Sequence, residues 1–191
     1  GGTLNLNKTG VDAIAGDLSV SGTGTVSLLQ SNQIADTSTV TVSANGATLN
    51  MGANNDTVGV FNMSAGELSG TGTLTATTYG LSGGTVTANL GTGTMNVTGS
   101  TALNGTSGAA AVNVSAGTLT LGDNERLANG ATVTVSNTGV LDVGAFDETV
   151  GAFNMSAGEL SGTGTLTATT YGLTGGTVTA MLGAGAVTVD T

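Results

Sequence analysis

The sequence predicts an all-β protein of one architecture, a parallel β-solenoid with coils of about 18–22 residues. Three observations predict it. The composition favours strands and turns over helices. The block Phe61–Ala88 returns as Phe153–Ala180 with one change, Ser82 to Thr174. Inside that long repeat runs a shorter one, and within it apolar residues alternate with polar ones.

Thr, Val, Gly, Ser, Ala and Asn dominate the 191 residues; there are 34 Gly, no Pro, Cys, His or Trp, and 7% charged residues. Amphipathic helices need Leu, Lys, Glu and Arg on their faces, and these are scarce. Thr and Val suit a pleated surface, while Gly and Asn suit turns. Disorder goes with low hydrophobicity and high charge, whereas this chain is 38% hydrophobic with a mean hydropathy of +0.28. The net charge is −10, twelve acids standing against Lys8 and Arg126. Phosphate-backbone binding needs clustered cations, so nucleic acid is excluded as a partner, and anionic membrane surfaces are disfavoured. No stretch approaches the roughly 18 apolar residues of a spanning helix.

The long repeat has an offset of 92 and extends past the block: Leu90-Gly91 returns as Leu182-Gly183. Val40–Ser43 returns as Val133–Ser136 at an offset of 93, so one residue is gained or lost in the intervening loop. The opening Gly1-Gly2-Thr3-Leu4 matches Gly83-Gly84-Thr85-Val86 and Gly175-Gly176-Thr177-Val178. The expected organisation is one continuous solenoid over residues 1–191. A partial or diverged unit covers about 1–82, a complete unit 83–174, and the start of another 175–191. The chain has no initiator Met or signal peptide, and both ends run mid-motif, so a piece of a longer array is expected.

The short repeat is a glycine followed by a strand. It falls at Gly24, Gly46, Gly66 and Gly84, and again at Gly117, Gly139, Gly158 and Gly176. In both series the steps shorten along the chain, and each is of the size of one solenoid coil. One coil per step gives roughly five coils per long repeat. No coil boundary is readable between Gly84 and Gly117. Taken along the chain, the inward pairs are Leu4/Leu6, Val40/Val42, Leu49/Met51, Phe61/Met63 and Leu74/Ala76. They continue as Leu119/Leu121, Val133/Val135, Leu141/Val143, Phe153/Met155 and Val187/Val189. Gly and Asn mark the corners, where positive φ is needed. A propeller is the main rival, but its blades bring aromatic signature positions, and aromatics are 3% here. One coil alone cannot bury enough apolar surface to offset the entropy of ordering it; stacking lets each coil share hydrogen bonds and apolar contact with two neighbours. Nine or ten coils at ~4.8 Å make a rod roughly 45 Å long.

Catalysis needs positioned acids, bases or nucleophiles. Without His or Cys the usual triads, most zinc sites and thiol chemistry are absent. Parallel β-helices include polysaccharide lyases and hydrolases, whose sites cluster acids with cations. The acids here are scattered: Asp12, Asp17, Asp36, Asp56, Glu67, Asp123, Glu125, Asp142, Asp147, Glu148, Glu159 and Asp190. The densest groups are Asp147-Glu148, matched by Asp56 in the preceding unit, and Asp123-Asn124-Glu125. Calcium would suit such oxygen ligands, but solvated turns that keep a nearly uncharged rod soluble are the favoured reading. Glu67 and Glu159 occupy equivalent sites about five coils apart, too far to pair in one glycosidase site. No catalytic, cofactor-binding or metal-binding set is therefore assigned, and no enzyme activity is expected. Thr73/Thr75, Thr85/Thr87, Thr132/Thr134, Thr165/Thr167 and Thr177/Thr179 place hydroxyls outward in pairs. In register they would form an array that orders water, as in ice-binding solenoids; β-propensity on a polar face is the plainer account. Asn-x-Ser/Thr triplets such as Asn62-Met63-Ser64 and Asn154-Met155-Ser156 arise from composition, and Asn62 and Asn154 are candidates for side-chain ladders.

Asp147–Phe153, followed by Gly158–Leu166, resembles the β-strand repeats of autotransporter-type passengers, and so does Asn55–Gly59 with its continuation. Gly117–Gly122 fits the same phrase set, which filamentous-haemagglutinin-like exoproteins also use. The resemblance covers essentially the whole chain. It implies a right-handed parallel β-helix, export across a bacterial outer membrane, and display or release outside the cell. It implies no particular ligand. The near-identity of the two units differs from most passengers, whose coils diverge, and points to a fibre or stalk. The expected function is a structural segment of a secreted bacterial surface fibre or adhesin, with ice or surface binding through the Thr pairs as the alternative. Its expected partners are neighbouring coils of the same or another copy, stacked end to end.

Overall fold

The computed structural model describes residues 1–190 as twenty strands, with no helix among the described residues. Every strand pairing is parallel. Antiparallel blades are thus absent from the described residues, and the molecule is a β-solenoid of about ten turns.

Each coil crosses three faces. The strand Asp56–Met63 turns from face A to face B at Gly59, and Glu67–Ser69 then runs along face C. On face B the inward column is Leu18, Val40, Phe61, Tyr79, Met95, Val112, Val133, Phe153, Tyr171 and Val187. Stacking like on like satisfies the main-chain groups of every coil from its neighbours and closes one apolar core. Phe61, Tyr79, Phe153 and Tyr171 are all buried in it. The two phenols reach polar partners inside the bore. Tyr79 Oη donates to Leu74 O at 3.0 Å and accepts from Ala76 N at 2.9 Å. Tyr171 repeats the pattern with Leu166 O and Ala168 N at 2.8 and 2.9 Å, so neither buried hydroxyl is left unsatisfied.

The rungs of the face B column are unevenly spaced along the chain. The step is widest from Leu18 to Val40, and narrowest from Tyr79 to Met95 and from Tyr171 to Val187. Face C holds a wider step still, Val26 to Leu49. The expected coil length was therefore too uniform at both extremes. Corners shrink until one strand runs round all three faces, as Thr73–Val86 does over 14 residues. The unreadable stretch between Gly84 and Gly117 holds an additional rung, Gly84 pairing with Thr101 and Thr101 with Leu119. Thr101 stands where a glycine or an aliphatic residue stands elsewhere, so the glycine-strand phrase never announces that coil.

Two inward columns run side by side on face C. Leu4, Val26, Leu49, Leu68, Val86, Leu103 and Leu121 form one, and Gly84, Thr101, Leu119, Leu141, Leu160 and Val178 form the other. Val86 and Val178, equivalent in the long repeat, therefore stand in columns two residues apart, the smallest displacement that keeps apolar side chains inward. On face B the long repeat stays in column: Phe61 and Phe153 are five rungs apart in one column. Of the residues expected to point inward, only Leu4, Val187 and Val189 in the end coils lack cover, at 49%, 53% and 71% exposure, while Leu6 is buried.

Candidate functional site

The strongest concentration of polar chemistry lies on face A, where wide coils meet their neighbours. Asn32 and Glu125 have φ of 55° and 52°, a left-handed turn in each of two equivalent loops. Such a turn aims consecutive N–H groups in one direction, leaving donors that an adjacent strand's carbonyls do not reach. The next coil supplies a carboxylate instead. Asp56 Oδ2 accepts from Gln33 N at 2.8 Å and Ile34 N at 3.2 Å, while Oδ1 accepts from Thr57 N at 2.9 Å. Glu148, the matching residue of the next long repeat, accepts from Arg126 N at 2.7 Å and Leu127 N at 3.0 Å.

The preceding coil is held as well. The Gln33 amide donates to Lys8 O and accepts from Lys8 N, at 2.8 and 2.7 Å, imitating one rung of main chain. In the second loop Arg126 Nη1 donates to Asn104 O at 2.8 Å. Each arrangement therefore clamps three coils together. Asp56 and Glu148 are 2% and 1% exposed. This corrects the reading of both as solvated turns; that reading holds for the exposed Asp123, Glu125 and Asp147. Burial pushes the Glu148 carboxyl up to about 7, assisted by the charge of Glu125 and opposed by its two N–H donors and by Arg126. Burial raises Asp56 as well, with Asp12 adding to it and three N–H donors opposing it.

The signal for these two residues was present in the sequence. Asp56 and Val58, like Glu148 and Val150, are two apart and so share the inward side of a strand. The clamps are five rungs apart, ~24 Å at ~4.8 Å per rung, so their carboxyls act separately.

A depression of about 590 Å³ beside the first clamp is lined by Gly10, Val11, Asp12, Ser31, Asn32, Asp36 and Thr57. Among the described residues no group of three or more His, Cys, Asp or Glu is placed to hold a metal ion. Glu67 and Glu159 are half-buried on face C, their Oε1 atoms accepting from the Thr87 and Thr179 hydroxyls at 3.1 and 3.4 Å. The Thr pairs do not share a face. Thr73/Thr75 and Thr165/Thr167 lie on face A, Thr132/Thr134 on face B, and Thr85 and Thr177 on face C. Asn62 and Asn154 form no ladder, because glycine follows each in its column; their Oδ1 atoms lie over Gly80 and Gly172, where a Cβ would be 2.5 and 2.7 Å away. The amide ladder forms between Asn113 Nδ2 and Asn96 Oδ1, at 2.9 Å.

No helix among the described residues is long and apolar enough to cross a membrane. In comparisons with known proteins the chain matches no protein-family model, no curated protein and no solved structure.

Proposed function

We propose that the chain is a structural segment of a secreted bacterial surface fibre or adhesin, a rigid extracellular rod whose product is reach. One observation carries this reading: a single apolar core runs unbroken through about ten stacked coils, so adding coils adds length without altering the cross-section. The clamps reinforce that role, because their buried polar groups are taken up in joining coil to coil. In this reading the chain performs no catalysis. The sequence resemblance to autotransporter-type and filamentous-haemagglutinin-like proteins supports export and a bacterial surface. Leu4, Met181, Val187 and Val189, exposed on the end coils, are the residues that end-to-end stacking on another copy would cover.

The test is small-angle scattering of chains lengthened by additional copies of residues 83–174. Each copy is expected to add five rungs, ~24 Å, at constant cross-sectional radius. A cross-section that grows with copy number, or a maximum dimension that does not, defeats the reading.

A further inference from the structure

The chain contains three Asn-Gly dipeptides, Asn45-Gly46, Asn104-Gly105 and Asn129-Gly130. Glycine presents the least hindered main-chain nitrogen that can approach the preceding side-chain amide. Attack requires that this N–H be free of a strong hydrogen bond and that the local backbone can bend.

The fold separates the three sites by those criteria. Asn45 and Gly46 are the exposed centre of a tight turn closed by Ala47 N donating to Ala44 O at 2.9 Å. Asn129 and Gly130 are the exposed centre of a second, closed by Ala131 N donating to Ala128 O at 2.8 Å. Among the described residues neither Gly46 N nor Gly130 N donates a hydrogen bond. Asn104-Gly105 is different. Both of its N–H groups donate to Val86 O, at 2.8 and 3.1 Å, and Gly105 is buried. The Asn104 carbonyl is further held by Arg126 Nη1.

We propose that Asn45 and Asn129 are sites of spontaneous deamidation in the folded rod and that Asn104 is protected by its place in the stack. Base removes the proton from the glycine nitrogen, which attacks the asparagine Cγ. The new C–N bond closes a five-membered succinimide, the bond from Cγ to the side-chain nitrogen breaks, and that nitrogen leaves with a proton as ammonia. Water opens the ring at either carbonyl, giving aspartate or isoaspartate. Each event adds one negative charge to a chain that already carries −10, and isoaspartate reroutes the main chain through the side chain at a corner of the coil.

The experiment compares folded and denatured protein held in mildly alkaline buffer, with peptide mapping by mass spectrometry and isoaspartate detection. Asn45 and Asn129 are expected to convert in the folded sample while Asn104 does not, and all three to convert in the denatured one. Gly130→Ala is expected to slow conversion at Asn129 alone. Its Cβ meets nothing within 4 Å, so the turn survives the change. Equal rates at Asn104 and Asn129 in the folded protein overturn the proposal. So does an intact Asn45 or Asn129 after the denatured chain has converted, or an Asn129 rate unchanged by Gly130→Ala.

Discussion

At the scale of single residues, the buried polar groups divide into those that serve the main chain and those that do not. Asp56, Glu148, Tyr79 and Tyr171 are buried and bonded, whereas the hydroxyls of Thr101 and Ser38 are buried without a partner. An unsatisfied buried hydroxyl costs about 1–3 kcal/mol, and valine keeps the shape without the oxygen. Thr101→Val is therefore expected to stabilise the fold by at least ~1 kcal/mol, read as a higher midpoint in urea; an unchanged or lower midpoint refutes this. Glu148 makes a different claim. Its folded pKa of about 7 lies above the ordinary 4.5. Folded protein thus retains a proton that unfolded protein has released, and stability falls as pH rises from about 4.5 to about 7. Thermal melting is expected at lower temperature at about pH 8 than at about pH 5. Glu148→Gln should lessen that difference while lowering stability throughout, since its NH2 meets a donor. Parallel pH profiles for the two proteins would refute the assignment.

At the scale of elements, the corners decide how closely coils can stack. Gly158 has φ +83°, and a Cβ there would overlap Gly139 O on the coil behind it. Both the left-handed backbone and the clash oppose any side chain. Gly158→Ala is expected to destabilise by more than ~1 kcal/mol in chemical unfolding. A loss under half of that would show the corner to be pliant. The strand residues beside such glycines were legible from alternation: Leu119 and Leu141, each two residues past a glycine, are fully buried as expected. The change of column on face C was not, because a two-residue displacement between the repeat-equivalent Val86 and Val178 preserves every inward and outward assignment and leaves no trace in the pattern.

At the scale of the whole molecule, stability belongs to the stack. Each coil contacts only its two neighbours, so intrinsic terms and interfacial terms add along one axis. The end coils show the effect of a missing neighbour: Val187 and Val189 occupy the same columns as the buried Tyr171 and the half-buried Leu173, yet stand in solvent at 53% and 71%. The scattering series with added repeats addresses this scale directly. Measured over a range of protein concentrations, it also reports whether uncovered ends seek one another.

The sequence by itself determined the strand content, the parallel stacking and nearly all of the inward columns, since these follow from local alternation and from the return of Phe61–Ala88 as Phe153–Ala180. Only the tertiary structure decided the rung at Thr101, the narrow coils, the spread of Thr pairs over three faces, and the loop N–H groups that Asp56 and Glu148 bind. Those features depend on which residue of one coil lies against which residue of the next. That register is set by corner lengths and by unpaired N–H groups in loops, and neither alters the two-residue rhythm that the sequence displays.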